Sequence, residues 1–259
     1  MDNQIFFNLE IKNRSKKPRE YGLTVLIDRG LGIKYLEDFL DLLADYIDLA
    51  KIITGTSALL NEEKLKSKIE LYKRYNILAF PGGMFFEYAR AKEKEKEYFD
   101  DIRKAGYQII EISNNRVNIS TKEKCDLIKL AIEKFGLEII GETGSKKKTT
   151  DILSIINDIK ECLEYGSWKV MLEANELFYA GQFNEKLVKT IIKNKIKLKD
   201  IIFELPTPRL AGITASDIYF LQTWLIKHLG PDVNIANVEP QEVLCLEAER
   251  MNLGSHMKL

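Results

Sequence analysis

Acids and lysines recur along this chain at one kind of position, directly after a short apolar run and directly before an irregular loop. The fullest instance is Leu137-Glu-Ile-Ile-Gly-Glu-Thr-Gly-Ser-Lys-Lys-Lys148. Here an apolar strand delivers Glu142 at its tip and breaks into a turn carrying three lysines. Asp28, Lys51, Glu111, Glu173, Glu204 and Asn237 stand at equivalent places, and Pro81-Gly82-Gly83 occupies one such place. Carboxylates gathered on one face repel one another unless a cation or a proton lies between them. A hard divalent ion, Mg²⁺ most naturally, is held by a few oxygens while leaving positions for water and substrate. Asp28, Glu111, Glu142, Glu173 and Glu204 are therefore the candidate metal ligands. The plainer reading of any one of them is a loop cap or a lysine partner.

The basic and turn residues suggest the substrate side of the same chemistry. Lys51, where its strand turns it inward, neutralises part of an acidic ring and can bind a phosphate or carboxylate. One arm of Lys146, Lys147 and Lys148 can reach the ring as a general acid or anion ligand, the others remaining solvated. The Gly82-Gly83 turn lets backbone amides approach an anion. Glu87, one helical turn on, either faces the pocket or caps a loop, and Arg116 and Arg209 lie on loops of the same face. A Ser-His-Asp set is excluded by the scarcity of histidine, His228 and His256 being the two present. Cys125, Cys162 and Cys245 are far apart, form no CxxC pair and fall in helical stretches, which suits a reduced, cytoplasmic protein.

Positioning these residues requires strands that all end on one face. Strands are expected at 23–28, 47–53, 77–80, 107–112, 137–142, 168–173, 200–204 and 233–236. Between and after them run helical patterns at 33–46, 61–75, 84–105 in two pieces, 120–135, 151–165, 184–195, 216–229 and 240–251. Strand–helix alternation without hairpins implies a parallel sheet, and eight such units imply an α/β fold of one (β/α)8 TIM barrel over residues 21–259. Residues 1–20 form an N-terminal extension whose basic part, 12–19, reads as solvated. An open doubly wound sheet is the alternative, but Asp28-Arg-Gly-Leu-Gly-Ile lacks the GxGxxG spacing. In a barrel, the C-terminal strand ends build the active face.

Composition narrows the partners. The 259 residues hold 39 Lys+Arg against 39 Asp+Glu, so there is no electrostatic case for nucleic acid, and any anion site must be local. No apolar run approaches the roughly 20 residues that span a bilayer, and the first residues lack the pattern of a signal peptide. A small anionic substrate is the partner that remains, with homo-oligomerisation left open.

Motifs in nearly every unit resemble the phosphosulfolactate synthases. They are Lys-Pro-Arg-Glu-Tyr-Gly (17–22), Leu-Ile-Asp-Arg-Gly (26–30), Tyr-Ile-Asp-Leu-Ala-Lys (46–51), Gly-Thr-Ser (55–57) and Pro-Gly-Gly-Met-Phe-Phe-Glu (81–87). Further along come Glu-Ile-Ser-Asn (111–114), Gly-Glu-Thr-Gly-Ser-Lys (141–146), Phe-Glu-Leu-Pro (203–206), Val-Asn-Ile-Ala-Asn-Val (233–238) and Leu-Glu-Ala-Glu-Arg (246–250). The resemblance implies a (β/α)8 lyase that adds sulfite to phosphoenolpyruvate with Mg²⁺, as in coenzyme M biosynthesis or sulfolactate formation. It implies Lys146 as the general acid, Lys51 and Glu142 as its catalytic companions, and Gly82, Gly83, Glu87, Arg209, Asn237 and Arg250 around the substrate. The chain departs from the family pattern at Ile53-Thr54, at Asn175 where an arginine is usual, and at Asn252-Leu253-Gly254 in place of Gly-Leu-Arg. A relative acting on another small phosphorylated or carboxylate anion, or a non-catalytic stress-related relative, is the alternative.

Overall fold

Each strand of the main sheet is rich in apolar residues because both of its faces are covered, the run being broken at positions such as Lys51, Glu111 and Glu142. The computed structural model describes residues 11, 14–146, 150–179, 182–208 and 212–254. The chain begins β1 (Thr24–Asp28), α1 (Ile33–Leu43), β2 (Leu49–Ile52), α2 (Glu62–Arg74) and β3 (Leu78–Pro81). Two helices follow, α3 (Gly83–Ala91) and α4 (Glu95–Ala105), then β4 (Ile109–Ile112), α5 (Thr121–Phe135), β5 (Glu138–Thr143) and α6 (Ile152–Glu164). After β6 (Lys169–Leu172) come α7 (Ala174–Leu177), β7 (Phe178–Tyr179), β8 (Gln182–Phe183) and α8 (Glu185–Lys193). The chain ends with β9 (Ile201–Glu204), α9 (Ala215–Leu229), β10 (Asn234–Val238) and α10 (Val243–Arg250).

Eight strands form one sheet in the order β3-β2-β1-β10-β9-β6-β5-β4, and every hydrogen-bonded neighbour in it is parallel. The two end strands, β3 and β4, pack against each other, so the sheet curls into a nearly closed barrel with helices outside. No described helix is long and apolar enough to cross a membrane. Helix ends follow local chemistry: Ser120 and Glu123 form a capping box on α5, which stops at Gly136 with φ 61°.

The interior is layered. Val25, Leu49, Phe80, Ile109, Ile140, Met171, Ile202 and Ala236 fill the barrel with apolar side chains. Side chains alternate across a strand with period two. Two residues beyond Leu49, Ile109, Ile140, Met171 and Ile202, the same inward face therefore presents Lys51, Glu111, Glu142, Glu173 and Glu204. The packed floor fixes which residues of each strand can form the charged layer above it.

Two expectations need correction. The alternation is not free of hairpins: the segment between β6 and α8, where neither strand nor helix is expected, holds α7 and the antiparallel β7–β8 hairpin. The basic lead-in is not solvated over its described part. Arg14 Nη1 pairs with Glu247 at 2.7 Å and Arg19 Nε with Asp48 at 2.9 Å, while Lys17 donates to the carbonyls of Ala44 and Tyr75 at 3.0 Å. Asp48 also accepts from Thr24 N at 2.9 Å, so this segment seals the N-terminal end of the barrel.

Candidate active site

Two lysines, each set between two glutamates, form the charged layer. Lys51 Nζ lies 2.8 Å from Glu111 Oε2 and 2.7 Å from Glu204 Oε1, with Met171 Sδ beneath at 3.5 Å. Lys146 Nζ lies 3.0 Å from Glu142 Oε1 and 2.9 Å from Glu173 Oε2. Fully ionised, these four acids and two bases would leave two negative charges in a buried place. Burial and the neighbouring carboxylates instead push Glu111 and Glu173 well above the usual carboxyl range. Burial disfavours the charge on Glu142 too, but Lys146 and Lys51 outweigh it and hold that carboxylate well below the range. Burial likewise opposes the charge on both lysines, and the carboxylates around them prevail, so both stay protonated.

The ring suits a hard cation. Glu111, Glu142 and Glu204 each offer an oxygen, and the three lie within 4.8 Å of one another. Glu111 Oε1 and Glu142 Oε2 are buried with no hydrogen-bond donor among the described residues. A shared proton or a cation must therefore lie between them, and an all-carboxylate oxygen set favours Mg²⁺ or a similar ion. Above the ring opens a cavity of about 260 Å³, walled also by Arg29, Gly82, Gly83 and Asn237. Gly83 has to be glycine, because a Cβ there would come 2.5 Å from Ser113 Oγ and 2.9 Å from Glu111 Oε1.

Lys51, Glu111, Glu142, Lys146, Glu173, Glu204, Gly82, Gly83 and Asn237 thus converge as expected. Three other candidates do not. Asp28 is on the outer face of β1, where it accepts from Tyr72 Oη at 2.8 Å, from Gly30 N at 2.7 Å and from Leu31 N at 2.9 Å. It also pairs with Lys68 at 2.7 Å, so it fastens α2 and the first loop instead of joining the ring. Glu87 accepts from Ser113 Oγ, from Asn115 N at 3.0 Å and from Arg116 N at 2.6 Å, which pins the loop after β4. Arg250 donates to the carbonyls of Pro231, Val233 (2.8 Å) and Leu23 (3.4 Å), at the opposite end of the barrel. The Asn252-Leu253-Gly254 departure follows it there and does not touch the cavity. Arg209, Lys147 and Lys148 lie outside the described residues.

The feature that sequence reasoning missed is α7. Its Glu176, fully buried, accepts from Ser145 N at 2.8 Å, from Thr150 N at 2.9 Å and from Thr150 Oγ1 at 2.5 Å. Asn175, the residue at the expected arginine, donates its Nδ2 to the Lys146 carbonyl at 2.7 Å. With Glu173 on the Lys146 ammonium, one short helix grips the β5–α6 loop by main chain and side chain together. Gly144 makes the contact possible: its φ is 108°, and a Cβ would meet Glu176 Cγ at 2.6 Å. The available signal was an acid in a segment without basic neighbours to pair with it. Glu176→Gln replaces acceptor capacity with an amide donor facing two backbone amides. It is expected to cost roughly 2 kcal/mol of stability and to lower kcat more than it raises KM, as read by thermal unfolding and steady-state kinetics.

A parallel eight-stranded barrel with a buried ring of acids and lysines at its C-terminal strand ends is the frame of a (β/α)8 enzyme. Likeness to solved structures shows the same frame: the YdjI aldolase of Escherichia coli K12 superimposes with a TM-score of 0.56 at 13% identity, covering 90% of this chain and 86% of that one. The chain belongs to the phosphosulfolactate synthase family, since residues 12–256 match (2R)-phospho-3-sulfolactate synthase (ComA). It is 31% identical over 256 residues to the phosphosulfolactate synthase of Methanothermobacter thermautotrophicus, across 93% of this chain and 92% of that protein. It is 34% identical over 243 residues to that of Methanocaldococcus jannaschii, across 90% and 92% respectively.

Proposed function

We propose that the chain adds sulfite to phosphoenolpyruvate to give phosphosulfolactate, with Mg²⁺ required and Lys146 as proton donor. The observation that carries this reading is Lys146 itself. It lines the cavity as an ammonium kept charged by Glu142 and Glu173, on the face where the family's active centre is expected. The sulfite sulfur contributes its lone pair to a new C–S bond at the methylene carbon. The double-bond electrons move onto the substrate carboxylate, and the adjacent carbon then takes a proton from Lys146 Nζ. Lys51, fixed between Glu111 and Glu204, faces the charge that develops on the substrate. Such an intermediate is strongly basic, so a donor with a raised pKa is adequate, and the amine regains its proton from solvent. Glu111, Glu142 and Glu204 would hold Mg²⁺, whose contribution is to neutralise charge on the substrate carboxylate.

The test is formation of phosphosulfolactate by purified protein from phosphoenolpyruvate, sulfite and Mg²⁺. No product, beside a relative that turns over in the same assay, would sink the reading.

The raised carboxyls also give a pH signature. Glu111 and Glu173 hold protons in the folded state that the unfolded chain releases near the ordinary value of 4.5. The folded state then binds more protons than the unfolded one, so stability without metal falls as pH rises through the window above 4.5. Metal binding at Glu111, Glu142 and Glu204 would displace the Glu111 proton, so the stabilisation by Mg²⁺ should grow from pH 5 to pH 7.5. Melting curves with Mg²⁺ and with EDTA across that range check it, and a pH-independent difference would contradict it.

A further inference from the structure

An anion entering this cavity meets an electrostatic obstacle. Both lysines of the ring are already held between two carboxylates each. Among the described residues lining the cavity, one other side chain is cationic: Arg29, just beyond the end of β1. Its Nε donates to Glu239 Oε1 at 2.9 Å, and Nη2 lies 2.8 Å from the same oxygen. Glu239 directly follows β10, the strand paired with β1, so the two residues face each other across adjacent strand ends. Both side chains of this pair are 20% exposed, whereas the glutamates that hold Lys51 and Lys146 are at most 4% exposed. Arg29 Nη2 is itself buried, but an ion pair that is open in part to water loses less on separation than one closed off from it. Withdrawing a lysine from a buried glutamate would instead leave charge in a medium of low dielectric. Among the described residues, Arg29 is therefore the cation that a substrate can recruit.

We propose that Arg29 is a substrate-binding, specificity-determining residue for a phosphate or carboxylate group, and that Glu239 holds it at the rim until the anion takes its place. This rests on the reading above that the cavity accepts a small phosphorylated acid. A guanidinium grips phosphate or carboxylate with two parallel hydrogen bonds, so the incoming group offers more than the single Glu239 oxygen does. Glu239, once released, turns its charge to water. The pair then predicts opposite effects from its two halves. Losing Arg29 weakens anion binding, and losing the Glu239 charge strengthens it.

Calorimetric titration of the full chain with phosphoenolpyruvate and with inorganic phosphate, in Mg²⁺ buffer at fixed ionic strength, tests this on wild type, Arg29→Gln, Arg29→Lys and Glu239→Gln. Arg29→Gln is expected to weaken the binding of both probes by roughly tenfold or more, with Arg29→Lys recovering part of the loss. Glu239→Gln is expected to tighten phosphoenolpyruvate binding by about threefold, because the competing partner has lost its charge. In turnover, the Arg29 variants should raise KM more than they lower kcat. Wild-type affinity in a folded Arg29→Gln protein overturns the assignment while leaving the anion cavity intact. Equal weakening by Glu239→Gln and Arg29→Gln also overturns it, because the pair is then only structural. A wild-type chain that binds neither probe removes the anion reading and this inference together.

Discussion

Lys146→Ala is expected to slow sulfite addition by roughly 10² to 10⁴-fold, the range that a positioned general acid contributes. The effect should fall on kcat, because proton delivery follows substrate binding. Lys146→Arg is the sharper variant. It keeps a positive charge between Glu142 and Glu173, yet a guanidinium cannot give up its proton and its planar fork does not occupy an ammonium's place. Turnover should therefore stay low in Lys146→Arg while phosphoenolpyruvate binding stays close to that of wild type. Restored turnover with arginine would show that charge alone is needed and would remove Lys146 as the acid. Lys146→Ala should lower the melting temperature as well, because it leaves Glu142 and Glu173, at most 4% exposed, without the cation they share.

Lys51→Met is expected to destabilise the fold itself. The Lys51 side chain is 8% exposed, and it separates Glu111 and Glu204, which are nearly inaccessible. Removing one partner of a buried pair costs about 3–5 kcal/mol, which for a chain of this size lowers the melting temperature by roughly 10 °C. Combining Lys51→Met with Glu111→Gln and Glu204→Gln should return most of that stability, since the buried charges leave together. Product formation should be absent in the triple variant, because both the cation facing the substrate and two of the carboxylates proposed to hold Mg²⁺ are gone. Melting curves and turnover measured on the same preparations separate the two roles. A single variant as stable as wild type would mean that the ring relaxes by admitting water.

The alternation of apolar runs and helical stretches made the barrel legible in the sequence, and the acids at the strand ends made the active face legible. Which acid points inward was not. In a parallel strand covered on both faces, apolar residues fill both parities, so Val25 and Ile27 do not announce that Asp28 faces the helices. Lys51 and Asp28 occupy equivalent places by eye, and one residue of register sends them to opposite sides of the sheet. Arg250 could have been placed from direction alone. The helices run back from the C-terminal strand ends, so the last turn of α10 must lie at the far end of the barrel. The role of Asn175 was beyond sequence reasoning, because its contact is with the main chain of a loop 29 residues away, and backbone partners leave no residue type to pair.

That contact has a consequence for how this barrel can be altered. The loops of such a barrel are ordinarily interchangeable parts, each grafted onto its own strand without regard to the next. Here the loop bearing Lys146 is moulded onto the segment after β6, with Gly144, Glu173, Asn175 and Glu176 as mutual templates. The two segments form one cassette. A chimaera that imports either from a relative alone should misplace the ammonium, and one that imports both should keep it, so new substrate preferences on this scaffold have to arise by paired change.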